Sequence, residues 1–196
     1  VHLLMCMSYL NHGYVHNDHR GDIFHHSDVA SAAMQLALSG LKVLGLEQFE
    51  PNHELGSSHG KTRAIRLAYY ENPNYVPLLK RAYHLWHDLE WRVGETLLEE
   101  CGCLSVAYPN HEVIQGIIAS SALHSLDVDF LSHEQLSEKY GFLNLPESYV
   151  GAYEKLGGYL WVDRCVRAFQ KIARDNNASL LFETPVTSIR NVGTDI

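Results

Sequence analysis

Basic residues are in short supply in this chain. Its 196 residues include 15 lysines and arginines against 23 aspartates and glutamates, which gives a formal net charge of −8. A surface that binds the phosphate backbone of DNA or RNA needs clustered lysine and arginine side chains. The composition therefore argues against nucleic acid as a partner.

Long apolar runs and paired cysteines are also missing. The apolar residues 1–10 lack a basic leader and fall short of the roughly 20 residues that cross a bilayer, so no membrane segment is predicted. The four cysteines fit neither a dense disulfide framework nor a C-x-x-C metal site, and reduced thiols are the simpler interpretation. They are Cys6, Cys101, Cys103 and Cys165.

The first 26 residues show neither a metal-ligand pattern nor a strand of branched apolar residues. Five histidines occur among residues 11–26 without regular spacing or an orienting acid, so no metal site is predicted. They are His12, His16, His19, His25 and His26. Residues 1–26 are therefore interpreted as a disordered or non-native leader. Because the chain begins with valine and stops just after a strand-like segment, we expect truncation at both ends.

The following residues contain part of a nucleotide-binding unit. Alanine-rich residues 29–38 predict a helix that Gly40 ends, and apolar residues 41–46 predict a strand that leads to Glu47. A nearly continuous apolar strand suits a parallel sheet covered on both faces, and an acid at its end usually holds a nucleotide ribose. The first strand of this βαβ unit should precede Ser27, but no such strand is predicted in the leader.

The rest of the chain alternates between helical and strand-like patterns. Helices are predicted at residues 75–93, 111–124, 134–140 and 163–174, and strands at 104–107, 128–131, 149–154, 159–161, 179–182 and 186–189. Tyr83 and Trp86 fall on the apolar face of the first of these helices. Ser132 and Gln135 form a capping box before the third. This order predicts an α/β fold with an inserted antiparallel portion.

The most informative segment is residues 56–66, with the sequence GSSHGKTRAIR. On a helix, Arg63 and Arg66 would share one face because they stand three positions apart. Two guanidinium groups beside His59 suit a carboxylate or a polarised oxygen. The segment therefore predicts an anion site, and a surface salt-bridge role for either arginine is the alternative.

Three segments carry a family resemblance: residues 42–49 (KVLGLEQF), 56–66 and 68–69 (AY). They resemble the monomeric sarcosine oxidase family of FAD-dependent amine oxidases, which includes peroxisomal sarcosine oxidase and L-pipecolate oxidase. The resemblance implies that residues 27–196 form an incomplete FAD-binding, Rossmann-like domain of the glutathione-reductase type. It further implies part of an inserted α+β substrate region, and a cytoplasmic or peroxisomal location.

The resemblance also implies roles for the residues that would hold the cofactor. Glu47 would accept hydrogen bonds from the adenosine ribose, and a solvated strand-end carboxylate is the alternative interpretation. Ser57, Ser58 and His59 match the loop that lies along the flavin. Arg63 matches the arginine near the flavin ring, so His59 and Arg63 are the expected catalytic residues.

For the substrate, the resemblance implies that Arg66 binds the carboxylate and that Tyr69 lies in the same pocket. Val186 matches a residue whose main chain meets the adenine. No residue of this chain matches the cysteine that links FAD covalently or the lysine associated with oxygen activation. Cys165, on a predicted helix, is not that cysteine.

The chain departs from the family at the phosphate-binding turn. Aligned with the family's G-x-G-x-x-G, residues 25–30 read HHSDVA. Glycine is needed there because a side chain blocks the tight turn, the approach of backbone amides to pyrophosphate and helix packing. His25 and Ser27 should obstruct the phosphates and Asp28 adds negative charge, whereas Ala30 is an accepted variant.

The implied activity is oxidation of the C–N bond of a secondary amino acid such as sarcosine or L-pipecolate, with oxygen reduced to hydrogen peroxide. We expect a monomer with FAD as cofactor, a small-molecule substrate and no metal. Three alternatives stay open: a catalytically dead splice fragment or pseudoenzyme, a relative of D-amino acid or glycine oxidase, and an NAD-dependent dehydrogenase. The 196 residues are not expected to be active alone.

Overall fold

The computed structural model describes residues 2–6, 26–55, 58 and 60–188, with the backbone alone for residues 2–6, 26 and 27. The chain divides into two compact units. Unit 1 consists of residues 1–61 and 162–196, and unit 2 is Thr62–Trp161. An inserted unit between the two halves of another is what the sequence pattern predicts.

The bounds of the regular elements are as follows. The strands are β1 (His2–Cys6), β2 (Lys42–Leu46), β3 (Thr62–Ile65), β4 (Leu98–Glu99), β5 (Cys103–Ala107), β6 (Val128–Leu131), β7 (Val150–Glu154), β8 (Gly158–Trp161) and β9 (Ser179–Leu181). The helices are α1 (His26–Leu38), α2 (Val76–Val93), α3 (Glu112–His124), α4 (His133–Tyr140) and α5 (Val162–Asp175). Short 3₁₀ turns occur at Pro73–Tyr75 and Gly141–Leu143.

Unit 1 is built on a parallel sheet with strand order β1-β2-β9. Helix α1 packs against α5. The buried residues of α1 recur at helical spacing, which gives the helix one apolar stripe. They are Val29, Ala30, Ala33, Met34 and Ala37. The alanines let the two helices approach closely, so the predicted α/β class is confirmed for this unit.

Strand β1 corrects the expectation that the leader lacks the first strand of the sheet. His2–Cys6 pairs in parallel with β2, from His2 opposite Lys42 to Cys6 opposite Leu46. The sequence argument required branched apolar residues, but pairing with a neighbouring strand overrides weak local strand propensity. The predicted identity of residues 1–26 as a non-native leader stays a prediction, and residues 7–25 lie outside the described part of the chain.

Unit 2 contains two antiparallel sheets, with strand orders β3-β8-β4 and β5-β7-β6. One core cluster joins Ile65, Leu67, Tyr83 and Leu98. A second consists of Ala68, Ala107, Ile114, Ile117 and Ala152. Small residues at these positions allow α3 to pack closely onto the sheet. The predicted antiparallel insertion is therefore confirmed.

Most of the predicted helix ends are also confirmed. Helix α2 ends at Gly94, which adopts the left-handed conformation with a φ of 70°. Ser132 and Gln135 form the capping box in front of α4. The helix predicted at residues 163–174, in contrast, begins one residue earlier, at Val162, so Asp163 lies in its first turn. The strand predicted at residues 186–189 is wrong for 186–188, which are irregular, and residue 189 lies outside the described range.

Three further observations bear on the expected absences. None of the described helices is long and apolar enough to span a bilayer. Within the ranges given above, no cluster of three or more histidine, cysteine, aspartate or glutamate side chains could hold a metal ion. Cys101, Cys103 and Cys165 form no disulfide, while the side chain of Cys6 is not described.

Replacing Glu90 with glutamine should destabilise unit 2 in a pH-dependent way. Glu90 Oε1 accepts hydrogen bonds from the N–H groups of Leu97 (2.7 Å) and Leu98 (2.9 Å), and Oε2 lies 3.1 Å from His87 Nδ1. Burial pushes the pKa of Glu90 upward, but the two amide donors and His87 outweigh burial and lower it below 4.5. We expect Glu90→Gln to cost about 1–2 kcal/mol near neutral pH.

The stabilisation by Glu90 is present above the carboxyl's unfolded pKa and is lost as the pH falls through the lower folded pKa. Urea unfolding of both proteins from about pH 7 to about pH 3.5 should therefore show a stability difference that shrinks on acidification. The exposed Glu138 of α4 provides the control, because Glu138→Gln should change stability little at either pH. A difference for Glu90→Gln that stays constant with pH would contradict the charge argument.

Candidate functional site

Glu47 occupies the position expected of a ribose-binding acid, immediately after β2. Its N–H donates to Leu181 O (2.9 Å), and its carboxylate Oε1 accepts the N–H of Phe49 (3.1 Å). The residue is only 2% exposed, although its side chain is a carboxylic acid. A solvated strand-end carboxylate is therefore a poor description of Glu47, because a buried carboxylate requires specific polar partners.

His53 is one of those partners, and the sequence argument missed it. Its Nε2 lies 3.5 Å from Glu47 Oε1, and both side chains are almost completely buried. The imidazole ring also packs edge-to-face against Phe49, with ring centroids 4.7 Å apart. Glu47, His53 and Gln170 line the same small cavity in unit 1. No sequence pattern links a histidine six positions after Glu47 to that acid, so only the fold reveals the pair.

The phosphate-binding turn fits FAD less well than the acid does. Asp28 lies exposed in the first turn of α1, where its negative charge opposes phosphate, whereas Ala30 is completely buried and leaves no room for a larger side chain. Ala30 therefore fulfils the packing role of the third glycine position. His25 and the side chain of Ser27 lie outside the described residues. The chain has an acidic acceptor at the position expected for the ribose, but no glycine among residues 25–30, where the phosphate-binding turn is expected.

The loop predicted to lie along the flavin is described only in part. Ser58 is buried, and Gly60 has a φ of 102°, a conformation that glycine adopts without strain. Ser57 and His59 lie outside the described residues. The roles assigned to Ser57, Ser58 and His59 therefore stay predictions.

The prediction that Arg63 and Arg66 share one face of a helix is wrong. Residues Thr62–Ile65 form β3, in which Arg63 is paired with Leu160 of β8. In an extended chain, side chains three positions apart point to opposite sides. Arg63 is exposed, and its Nη1 donates to the carbonyl of Thr62 (2.8 Å). The partner strand lies far away in the sequence, so local spacing alone could not distinguish strand from helix.

Arg66 and Tyr69, in contrast, do come together within unit 2. The guanidinium carbon of Arg66 lies 5.1 Å from the centre of the Tyr69 ring and 5.4 Å from that of Tyr70. Glu71 Oε1 lies 3.7 Å from Arg66 Nη2, with side-chain exposures of 26% for Arg66 and 39% for Glu71. A partly exposed pair of this length contributes at most about 1 kcal/mol. Glu71 would therefore be a weak competitor for an incoming carboxylate.

Tyr70 adds a polar group beside this arginine. A hydrogen bond from its hydroxyl to Glu71, together with the negative charge of Glu71, raises the pKa of Tyr70. The phenol is therefore neutral near neutral pH, where amino acids carry a carboxylate. Two aromatic rings and one guanidinium group form a surface that suits an organic anion.

Glu154 is a second residue that the sequence argument missed. It ends β7 and is buried, and its carboxylate accepts the backbone N–H groups of Leu67 and Ala68, which follow Arg66. A signal was available, because strand alternation places Glu154 on the same face as Val150 and Ala152. An acid on an apolar strand face must be buried with hydrogen-bond partners.

Val186 lies in unit 1, just beyond a segment tied to the end of β2. The N–H of Thr184 donates to Glu47 O (2.8 Å), and that of Glu183 donates to Phe49 O (3.0 Å). Val186 itself is half-buried. Its assigned contact with adenine stays a prediction, supported by the position of its segment beside the acid.

Comparison with known proteins decides the family. The sequence model of the family described as "FAD dependent oxidoreductase" matches residues 30–196. This chain belongs to the family of FAD-dependent oxidoreductases. The expectation of FAD as the family's cofactor is therefore confirmed, and the chain's α/β architecture is that of a partial FAD-binding domain.

Among curated relatives, this FAD-dependent oxidoreductase is similar to N-methyl-L-tryptophan oxidase of Yersinia pestis (strain Pestoides F). The two are 33% identical over 169 residues, which cover 85% of this chain and 46% of the relative. The same enzyme of Yersinia pseudotuberculosis serotype O:1b (strain IP 31758) matches equally well. The predicted resemblance to sarcosine-oxidase-like enzymes is confirmed. The chain spans about half the length of the curated relatives it matches.

Solved structures of amino acid oxidases share the fold of this FAD-dependent oxidoreductase. The open form of NikD, an amino acid oxidase essential for nikkomycin biosynthesis, matches with a TM-score of 0.70 and 27% identity, over 81% of this chain and 41% of NikD. Glycine oxidase from Bacillus cereus ATCC 14579 matches with a TM-score of 0.63 and 26% identity, over 85% of this chain and 46% of that protein.

Proposed function

We propose that this protein oxidises the C–N bond of a secondary, N-alkylated amino acid, with FAD as cofactor. One observation carries the proposal: the half-buried guanidinium group of Arg66 is stacked on Tyr69 and Tyr70 and is only weakly paired with Glu71. That surface suits an amino acid carboxylate. The likeness to N-methyl-L-tryptophan oxidase supports a substrate with a methylated amino group.

Each residue of the proposed site has one task. Arg66 binds the substrate carboxylate as a bidentate partner, and Tyr69 covers the apolar part of the substrate. Glu47 accepts hydrogen bonds from the ribose hydroxyls of FAD. His59 and Arg63 would act beside the flavin, where a fixed positive charge stabilises added negative charge. When FAD is bound, it takes up the hydrogen and the two electrons removed from the substrate and passes them to oxygen.

The proposed reaction balances with oxygen as the oxidant and water as the reactant that hydrolyses the imine. The substrate loses one hydrogen from carbon and one from nitrogen, and an imine forms between these two atoms. Oxygen gains the same two hydrogens and two electrons and becomes hydrogen peroxide. Water then hydrolyses an open-chain imine to a carbonyl compound and an amine, whereas a cyclic imine such as that from L-pipecolate persists.

A second candidate is a pseudoenzyme that binds no FAD. Asp28 in the first turn of α1 and the absence of glycine at residues 25–30 favour it, because both oppose pyrophosphate binding. A third is a glycine oxidase relative, favoured by the structural likeness to the Bacillus cereus enzyme.

Two proteins distinguish these candidates. The first is the purified chain itself, mixed with FAD and separated from unbound flavin. The second, called here the chimeric oxidase, is N-methyl-L-tryptophan oxidase of Yersinia pestis with residues 30–196 of this chain in place of its matching part. The chimeric oxidase takes from the relative the part of the phosphate-binding turn that corresponds to residues 25–29, so it isolates what residues 30–196 contribute.

We expect the chimeric oxidase to retain flavin, with absorbance bands near about 375 and 450 nm. It should release hydrogen peroxide with N-methyl-L-tryptophan, sarcosine or L-pipecolate. Oxidation of glycine or D-alanine alone would overturn the proposal in favour of the third candidate. A folded chimera without flavin would overturn it in favour of the second. A colourless natural chain beside a yellow chimera would place the cause of lost flavin binding outside residues 30–196.

A further inference from the structure

The segment that carries Arg66 and Tyr69 belongs to no helix or strand. After Ile65 the backbone leaves its partner β8, so the amides of Leu67 and Ala68 gain no hydrogen bond from the sheet. Both residues are buried. Buried amides require another acceptor, because an unsatisfied N–H costs as much as a lost hydrogen bond.

Glu154 provides that acceptor from the end of β7. The N–H of Leu67 donates to Oε1 (2.5 Å), and the N–H of Ala68 donates to Oε2 (2.8 Å). The residue is only 6% exposed, so these charge-assisted hydrogen bonds form away from solvent, where they are strong. Each carboxylate oxygen therefore fixes one peptide group next to Arg66.

Helix α3 fixes the next two residues of this segment, Tyr69 and Tyr70. The hydroxyl of Ser120, which is completely buried, donates to Tyr69 O (2.5 Å). A Cβ atom at Gly116 would lie 2.0 Å from Tyr70 O, so the helix backbone is in direct contact with that carbonyl. The peptide groups from Leu67 to Tyr70 are thus fixed by both β7 and α3.

The charges of Glu154 and Arg66 act on a common neighbour. Burial raises the pKa of the Cys103 thiol, the positive charge of Arg66 lowers it, and the negative charge of Glu154 raises it. Both charged groups therefore lie within electrostatic range of one half-buried side chain. The carboxylate of Glu154 and the guanidinium group of Arg66 therefore both influence the Cys103 thiol.

We propose that Glu154 is a positioning residue, which holds the backbone after Arg66 so that the guanidinium group faces the substrate carboxylate. The inference rests on the proposed function, because it concerns the same anion site. Glu154 does not contact the substrate. It acts through its hydrogen bonds to Leu67 and Ala68. Ser120 supports the same backbone segment through its hydrogen bond to Tyr69 O.

Glu154→Gln tests the proposal with little change of shape. Glutamine offers one acceptor oxygen, and its NH₂ group would face the second amide donor, so one of the two hydrogen bonds is lost. In the chimeric oxidase we expect the KM for N-methyl-L-tryptophan to rise about tenfold, because a small misplacement of a binding group is costly. The kcat and the inhibition constant of N-methyltryptamine, which lacks the carboxylate, should change little.

Two neighbouring serines provide a second variant and its matched control. Ser120→Ala removes the hydrogen bond to Tyr69 O and should raise the same KM by a smaller factor. Ser121 instead donates to Ile117 O within its own helix, so Ser121→Ala should leave the KM unchanged. If Glu154→Gln fails to fold, the KM values of Ser120→Ala and Ser121→Ala test the proposal by themselves. Equal weakening of both ligands, or equal effects of the two serine variants, would overturn the proposal.

A binding measurement separates this inference from the proposed function. If the unmodified chimeric oxidase fails to oxidise N-methyl-L-tryptophan, the proposed function is wrong. Titration calorimetry of the 196-residue chain with N-methyl-L-tryptophan and N-methyltryptamine then tests Glu154 directly. A roughly tenfold loss of affinity in Glu154→Gln for the first ligand alone supports positioning. Unchanged affinity, or no preference for the carboxylate in the unmodified chain, refutes it.

Discussion

Replacing Gly116 with alanine should lower the free energy of unfolding of unit 2 by about 3 kcal/mol or more. The new Cβ would lie 2.0 Å from Tyr70 O and 2.7 Å from both Tyr70 C and Tyr70 Cα. Overpacking against a flexible side chain can be relieved by a rotamer change, but these atoms belong to the backbone. Either α3 or the segment that follows Arg66 must move.

Helix propensity acts against this loss without cancelling it. Alanine is more favourable than glycine within a helix by about 1 kcal/mol, so an increase in stability would be expected if the site had room. The steric contact is larger, since no real Cβ lies so close to a backbone oxygen. The sign of the measured change therefore reports directly whether α3 touches Tyr70.

Gly141 provides the matched control for Gly116→Ala. It has no neighbouring atom within 4 Å of an added Cβ, and its φ of −55° suits any residue. Gly141→Ala should therefore leave stability unchanged or raise it by up to about 1 kcal/mol. Urea unfolding of the two variants checks both expectations. A Gly116→Ala protein as stable as the unsubstituted chain would show that the contact in the fold is wrong.

The helices and strands that were predicted well from the sequence are those determined by residues close together in the chain. Helix α2 combines apolar residues spaced near 3.6 positions with Gly94 at its C-terminal end. The start of α4 is predicted by the capping box of Ser132 and Gln135, which lie within one turn. Strand β2 is a short apolar run between Gly40 and Glu47. In each case the residues that define the element lie within a few positions of one another, so no knowledge of the fold was required.

The elements that sequence missed depend on distant partners. Strand β3 has a polar, exposed pattern and is a strand because β8, nearly a hundred residues later, pairs with it. Strand β1 contains no β-branched residue and gains its hydrogen bonds from β2. Neither sequence has strong strand propensity by itself, so tertiary pairing decides.

The candidate site divides in the same way. The acid at position 47 could be predicted, because strand ends in nucleotide-binding folds follow a simple rule. The resemblance implied that Arg66 and Tyr69 share a pocket, whereas the contact of Arg66 with Tyr70 was found only in the fold. Glu154 was open to prediction from strand alternation, but its amide partners lie more than eighty residues earlier. Sequence thus identified several candidate residue types, and the fold supplied their neighbours.

Arg66→Ala should raise the KM for N-methyl-L-tryptophan in the chimeric oxidase by roughly 100-fold, because a charged, bidentate partner of the carboxylate is lost. Arg66→Lys should recover only part of this, since an ammonium group neither forms the planar fork nor stacks as well on Tyr69. The kcat at saturation should fall much less than kcat/KM. Steady-state peroxide release over a range of substrate concentrations separates the two constants.

Arg81, exposed on α2, provides a control with the same change of charge, and Arg81→Ala should leave the KM unchanged. The inhibition constant of N-methyltryptamine should be insensitive to Arg66→Ala, because this amine has no carboxylate. An unchanged KM in Arg66→Ala would remove the anchor from the proposed site. A loss shared by both ligands would instead point to a general disturbance, since the guanidinium group also packs against two tyrosine rings.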